Sequence, residues 1–311
     1  MCCRVTLGSS MEFCLALDVG GTKLAAGMVS EDGHLVGEVH VPTPHDVGRE
    51  ELFAATTALL DQLLARFGDA GHRSVVACGV GCGGPMVGHG DTVSPLNIPA
   101  WRGFPLRERL ESHTGVPVAV DNDAKALALG EGWVGTASGC RDFLAMVVST
   151  GIGGGIVLDG HLLDGSAGNA GHIGHLMVEP DGRLCACGAY GCLEAEASGT
   201  AIAAITGAPP SEASVTVIER TGRLVGRAVA SVANLLDLPL ALVGGSVALG
   251  YGAPFFAAAN AEVQKRARLE FSASTQVLPV GLGSSAPLVG AGAVGWRGID
   301  RLTDRSSASI R

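Results

Sequence analysis

Phe13-Cys14-Leu15-Ala16-Leu17-Asp18-Val19-Gly20-Gly21-Thr22-Lys23-Leu24-Ala25-Ala26-Gly27-Met28-Val29 is an apolar run, a short polar turn and a second apolar run. That order predicts strand, turn, strand. A Walker loop needs four residues between its glycines and a helix after them, and a dinucleotide fingerprint also opens a helix, so neither fits. What remains is a β-hairpin whose turn, Gly20-Gly21-Thr22, offers backbone N–H groups as a nest for a phosphate. Asp18 stands at its mouth, a carboxylate able to hold a hydrated Mg2+. Lys23 is open between neutralising a phosphate and occupying an exposed strand position.

The same idea recurs further along. Phe143 to Val148 runs into Ser149-Thr150-Gly151-Ile152-Gly153-Gly154-Gly155 and returns as Ile156-Val157-Leu158. Glycine-rich hairpin turns are common, so either loop alone says little. Two of them predict two similar α/β halves facing each other across a cleft, each offering one phosphate loop.

Between and after these turns lies a third cluster. Gly171-His172-Ile173-Gly174-His175 is followed by Cys185-x-Cys187-Gly188-x-x-Gly191-Cys192-x-Glu194. One histidine and three cysteines, His175, Cys185, Cys187 and Cys192, are the ligand set of a tetrahedral, structural Zn2+. The competing reading is four unrelated residues, or two cysteines joined as a disulfide. Glycine-bracketed cysteine clusters favour the metal.

Composition sets the frame. A chain of 311 residues is long enough for two domains with cores of their own. Hydrophobic content of 47% with only 4% aromatic residues and 47 glycines suits an α/β protein. A formal net charge of −9 argues against a nucleic-acid surface, which would show a basic face. Residues 1–10 lack the apolar core of a signal peptide, and Met11 is a second candidate for the initiator. Leu238 to Ala259 is apolar, but its Pro, Gly and polar interruptions mark a buried strand–turn–helix, so no membrane span is expected. Cys2, Cys3, Cys14, Cys78, Cys82 and Cys140 form no framework and read as reduced thiols of a cytoplasmic protein.

Residues 13–41 predict a three-stranded meander. Glu50 to Phe67 places Leu52, Phe53, Leu59, Leu60, Leu63, Leu64 and Phe67 on one wide stripe, a core-facing helix. Val75 to Val80 and Val116 to Val120 read as buried strands ending at functional turns. Further helices are expected near Val217–Leu236, Ala253–Phe271 and Pro287–Trp296.

With these motifs in order, the chain resembles the ROK group of sugar kinases and repressors, within the actin-like ATPase (ribonuclease H-like) fold shared with hexokinase. Matching motifs include Gly81-Cys82-Gly83-Gly84-Pro85, Asn97-x-x-x-Trp101, Asp121-Asn122-Asp123-Ala124 and Val243-Gly244-Gly245-Ser246-Val247. They run from Asp18 to the glycine-rich segment near Ala291. The resemblance implies two lobes around a cleft. The smaller spans residues 11–122 and the larger 123–286, with a helix at about 287–297 packing back on the first.

It also implies an ATP-dependent kinase acting on the 6-hydroxyl of a hexose or N-acetylhexosamine, with Mg2+ as cofactor, no nucleic-acid or membrane partner, and a homodimer or homotetramer. Asp123 corresponds to the general base. Gly84, Asn97, Asn122, Asp123, His172, His175 and Glu194 correspond to the sugar side. Asp18, Gly20, Gly21, Thr22, Lys23, Thr150, Gly151, Gly153, Gly244 and Gly245 correspond to the nucleotide side. Asp121 is expected to face away from the sugar. The plain alternatives are that Asp123 only caps a helix, that Glu194 is a solvated helix-start carboxylate, and that His172 packs under the zinc knuckle.

One departure bears on substrate. The usual family motif carries glutamate where this chain has His172. The Gly-His-Ile-Gly-His form is that of bacterial N-acetylmannosamine kinases, and also of kinases known only as glucokinases. N-acetylmannosamine and glucose are therefore the leading acceptors. A regulator of the same family would carry a helix-turn-helix before the first hairpin, and only a dozen residues precede Phe13. A sugar-binding protein without catalysis is the remaining alternative.

Overall fold

The computed structural model describes residues 11–300; of residues 69–73 it describes the backbone only. The chain divides into two compact units, one of residues 11–135, 164–170 and 284–300, the other of residues 136–163 and 171–283.

In the first unit, β1 (Phe13–Val19), β2 (Lys23–Ser30) and β3 (Leu35–Pro42) form the expected meander. Helix α1 (Arg49–Ser74) buries Leu52, Leu59, Leu60 and Leu63, each worth roughly 1.5–3 kcal/mol, and leaves helical conformation once, at Gly68. The sequence ends this helix at Phe67, next to that break. Strand β4 (Val75–Cys82) is followed by the short pair β5 (Met86–Val87) and β6 (Thr92–Val93). Then come α2 (Leu106–Thr114), β7 (Val118–Asn122) and α3 (Asp123–Val134). The sheet order is β3-β2-β1-β4-β7, with β2 antiparallel to both neighbours and β4 parallel to β1 and β7.

The second unit repeats this plan. Strands β8 (Phe143–Val148), β9 (Ile152–Leu158) and β10 (His161–Leu162) form the antiparallel part. Helices α4 (Leu193–Ala197), α5 (Gly199–Thr206) and α6 (Val215–Leu236) follow. After them come β11 (Leu240–Gly244), α7 (Ser246–Tyr251), α8 (Ala253–Arg266) and β12 (Gln276–Pro279). The sheet order is β10-β9-β8-β11-β12, with β11 parallel to β8 and β12. Each sheet is therefore an antiparallel hairpin extended by parallel strands, and in each the glycine turn joins the first two strands.

The apolar stretch from Leu238 resolves into strand, turn and helix, and no helix among the described residues is long and apolar enough to cross a membrane. Helix α8 ends at Arg266, not at Phe271 as the sequence suggested; Leu269 and Phe271 lie beyond it and are about half exposed, so little burial favours carrying the helix on to them.

The last helix, α9 (Ala286–Gly298), packs on β1, β4 and α3 of the first unit. A β-carbon on Gly79 of β4 would lie 1.9 Å from the Ala291 carbonyl oxygen, so this crossing requires glycine. At its far end the fully buried Trp296 donates its indole N–H to the Val29 carbonyl at 3.1 Å. The unit boundary differs from the expected residue 122: α3 and residues 164–170 group with the first unit, which is then the larger of the two. The reason is packing, since α3 lies against α9 and β4.

Candidate active site

In the first unit the site is built on one row of the sheet. Asp18 on β1 pairs in register with Gly81 on β4, which pairs with Asp121 on β7. Without a side chain at Gly81, Asp18 approaches the start of α3: a β-carbon there would lie 3.9 Å from Asp18 Oδ1 and 3.7 Å from Asp123 Cα. Burial raises the Asp18 carboxyl from 3.8 to about 7, the neighbouring Asp123 charge adds to this, and Lys23 offsets it. A carboxylate held like this favours a cation beside it.

The turn after Asp18 is closed by Gly20 N–H donating to the Lys23 carbonyl at 3.1 Å, and Thr43 Oγ1 donates to the Gly20 carbonyl at 2.7 Å. The amides of Gly21 and Thr22 stand outside that closing bond. Gly21 is fixed by space: a β-carbon there would come within 2.6 Å of Asn97 Nδ2. Asn97 also borders Gly83, and its loop is tied to the next turn by Leu96 N–H donating to the Gly84 carbonyl at 3.3 Å. Gly21, Gly84 and Asn97 thus share one neighbourhood; Trp101, four residues after Asn97, is fully buried and stacked on Phe104. Lys23 is exposed at the start of β2 and close enough to act on Asp18.

Strand β7 ends in Asn122, whose side chain accepts the Ala124 N–H at 3.0 Å and caps α3. Asp123 is the first helical residue and is exposed; its Oδ1 also accepts the Ala124 N–H, at 2.8 Å. Capping is therefore shared, and Asn122, not Asp123, takes the N-cap position. Asp121 pairs with Lys125 Nζ at 2.9 Å. Burial raises the Asp121 carboxyl, and the Lys125 charge only partly offsets it. Asp164 is also penalised by burial, but its hydrogen bond to Lys125 and the charges of Lys125 and Arg297 hold it below the usual carboxylate range.

In the second unit Ser149-Thr150-Gly151 forms the turn between β8 and β9. The Thr150 carbonyl accepts both the N–H and the hydroxyl of Thr200, at 3.2 and 3.0 Å. Ser149 Oγ meets Ser246 Oγ at 2.9 Å, just after Gly244-Gly245. Gly245 has φ +94°, and a β-carbon there would lie 2.4 Å from the Val148 carbonyl oxygen. Ser246 belongs to the Gly244-Gly245 motif read from the sequence, whereas Thr200 was not singled out there. The signal was there for Thr200, since Ser198 before it caps α5 by accepting the Ala201 N–H.

Glu194 lies in the first turn of α4 and its Oε2 accepts the Ile152 N–H at 2.9 Å. It is half-buried and tied to the second glycine turn, so the solvated-carboxylate reading does not hold. His172 begins a short 3-10 turn, is exposed, and its ring centroid lies 6.1 Å from that of His175. It does not pack under the knuckle.

The knuckle brings one ligand atom each of His175, Cys185, Cys187 and Cys192 within 4.8 Å of one another. His175 Nδ1 lies 3.6 Å from Cys185 Sγ, and Cys187 Sγ lies 3.7 Å from Cys192 Sγ. A tetrahedron with metal–ligand legs of about 2.0–2.3 Å has edges of about 3.3–3.8 Å, so both distances are tetrahedral edges. The Cys187–Cys192 distance is too long for a disulfide, and all the described cysteines are free. Burial together with the neighbouring sulfurs pushes the Cys192 thiol up to about 12. Such a cluster fits a soft divalent cation. The knuckle is braced by the buried Glu196, which accepts the Arg183 N–H at 2.6 Å and pairs with Arg220.

Two half-alike sheets, each with a glycine turn at its first hairpin, define an α/β protein of the actin-like ATPase class. The ROK family profile matches residues 14–296, and the chain belongs to that family. It is 36% identical over 253 residues to an N-acetylmannosamine kinase of Citrobacter koseri, covering 76% of this chain and 84% of that one. A ROK family glucokinase from Streptomyces griseus, solved with glucose and AMPPNP, is 32% identical with a TM-score of 0.79, covering 92% of this chain and 99% of that one. A ROK hexokinase from Thermus thermophilus is 33% identical with a TM-score of 0.76, covering 93% and 99%.

Proposed function

We propose that the chain is an ATP-dependent sugar kinase transferring the γ-phosphoryl group to the 6-hydroxyl of a hexose or N-acetylhexosamine. N-acetylmannosamine is the leading acceptor and glucose the alternative. The observation that carries the reading is Asp123: an exposed carboxylate on the first residue of α3, with Asn122 in the cap position and Asp18 across Gly81. Asp123 accepts the proton of the attacking hydroxyl, and Asn122, Asn97 and Gly84 hold hydroxyls beside it. On the second unit, Glu194, His172 and His175 are the residues proposed to bind sugar.

Asp18 would hold Mg2+ through water, and the amides of Gly21 and Thr22 with Lys23 would hold phosphate oxygens. Thr150, Gly151 and Gly153 offer the second set of donors, and Gly244 and Gly245 border the adenosine. Bound MgATP supplies the phosphoryl group, its charge spread over the metal and these donors. Structural zinc fits the His175, Cys185, Cys187 and Cys192 cluster. With Nδ1 of His175 turned to that cluster, a bound zinc would take Nδ1 and leave Nε2 protonated, able to donate to a sugar oxygen. Cysteines that are free among the described residues support a cytoplasmic location.

The test is a coupled ADP-release assay over a panel of hexoses and N-acetylhexosamines with MgATP. Turnover on at least one of them is expected. Sugar binding without ADP release on any would replace the kinase with a sugar-binding protein.

A further inference from the structure

Lys125 is only 2% exposed, although it sits two residues after Asp123 on α3. Its ammonium meets three acceptors: Asp164 Oδ1 at 2.8 Å, Asp121 Oδ1 at 2.9 Å and the Gly168 carbonyl at 3.1 Å. Three protons and three acceptors leave the group satisfied. Asp121 Oδ1 also accepts the Asn122 N–H at 2.8 Å. Asp121 and Lys125 therefore bracket Asn122 and Asp123, fastening the end of β7 to the first turn of α3 from both sides.

The other half of the clamp comes from residues 164–170. Asp164 Oδ2 accepts from Arg297 of α9 at 3.1 Å. Five residues on, Asn169 takes the Met86 N–H on its Oδ1 at 3.2 Å and donates its Nδ2 to the Met86 carbonyl at 3.0 Å. Met86 follows Gly84-Pro85. One short segment thus grips both the strand–helix junction carrying Asp123 and the turn carrying Gly84.

We propose that Lys125 is a positioning residue for the Asn122–Asp123 pair, acting through Asp121 and held in place by Asp164 and Gly168 of this segment. The proposal rests on the reading of Asp123 as the base. Removing the ammonium leaves Asp121 and Asp164 facing each other without the cation they share, so the segment draws back and the end of β7 loosens. A base displaced by a fraction of an ångström from the attacking hydroxyl loses turnover more than it loses ATP binding.

Lys125, Asp121, Asp164 and Arg297 also line a cavity of about 210 Å³, with His89 at its wall. That space makes chemical rescue feasible. A small primary ammonium ion can enter Lys125→Ala and stand where Nζ stood.

The experiment compares Lys125→Met, Lys125→Ala, Asp164→Asn and Asp123→Asn on the full chain, with kcat and KM referred to the folded fraction. Lys125→Met is expected to lower kcat by about tenfold or more, with KM for MgATP unmoved. Propylammonium is expected to restore part of the lost kcat to Lys125→Ala, while equal tetramethylammonium does not. Asp164→Asn keeps the side-chain volume and is expected to lower kcat in the same pattern, which keeps the proposal testable if the Lys125 variants do not fold. Wild-type kcat in a folded Lys125→Met, in Asp164→Asn where the Lys125 variants fail, or loss without rescue by propylammonium, overturns it. If Asp123→Asn itself turns over normally, the reading of Asp123 as base has failed instead.

Discussion

Asn122 caps the helix that Asp123 begins, its side-chain oxygen accepting the Ala124 N–H at 3.0 Å. A helix start needs an acceptor for its leading amides. Because Asn122 provides one, the Asp123 carboxylate is not required for the cap and stands exposed beside Asp18. Asp123→Asn should then leave the fold intact, keeping size and polarity but not the ability to take a proton. Turnover should fall by roughly 10² or more, within the usual span of general-base effects, while sugar binding weakens far less. The check is kcat beside the sugar dissociation constant from calorimetry. Turnover within a fewfold of wild type would remove Asp123 from the role.

Asp18 predicts a trade between stability and activity. Its carboxyl titrates at about 7 in the folded chain against a usual 3.8, so the folded state holds the proton more tightly than the unfolded one. The stability this contributes is fully present below the unfolded value and is lost as pH rises through about 7. At pH 8 the protein bears a buried charge that Asp18→Asn lacks, at a cost of up to about 4 kcal/mol by the usual 1.4 kcal/mol per unit. Without Mg2+, Asp18→Asn should unfold at a higher temperature than wild type at pH 8, with a smaller gain at pH 5, and should be nearly inactive. A gain independent of pH would show that burial of this charge is not the cause.

Much of this was legible in the sequence because the period and the punctuation agree. The glycine turns after β1 and β8 lie between apolar runs of strand length, and Leu52 to Phe67 repeats with helical spacing. What the sequence left undecided depends on contacts between distant segments. Nothing near Asn122 in the chain says that it, and not Asp123, takes the N-cap position. Glu194 meets the Ile152 amide across 42 residues, and Asn169 meets Met86 across 83. That α3 groups with the first unit depends on the same kind of contact, since its packing partner α9 comes at the end of the chain.

The knuckle predicts one metal ion per chain. Cys187→Ser removes an exposed sulfur, leaving the buried packing of Cys185 and Cys192 in place. It should release the metal, lower the melting temperature, and weaken sugar binding more than nucleotide binding, because His175 loses its fixed orientation. Elemental analysis of wild-type protein purified without chelator should give about one zinc per chain. Protein without zinc would reject the site, and undiminished sugar affinity in Cys187→Ser would separate the metal from substrate recognition.

His172 carries the prediction about substrate. It is exposed beside His175, in a position where the family commonly has glutamate. A neutral imidazole N–H can serve the carbonyl of an N-acetyl group, whereas a carboxylate repels that carbonyl and favours a free hydroxyl donor. A pocket that pairs one polar group penalises the ligand leaving it unpaired, so the preference should reach about tenfold. N-acetylmannosamine should therefore match or exceed glucose in kcat/KM. His172→Glu should tilt that ratio toward glucose, with KM for ATP unchanged. The measurement is the ratio of the two kcat/KM values in wild type and variant under one set of conditions. A wild type that strongly prefers glucose, its ratio unmoved by the substitution, would show that this histidine does not read the sugar.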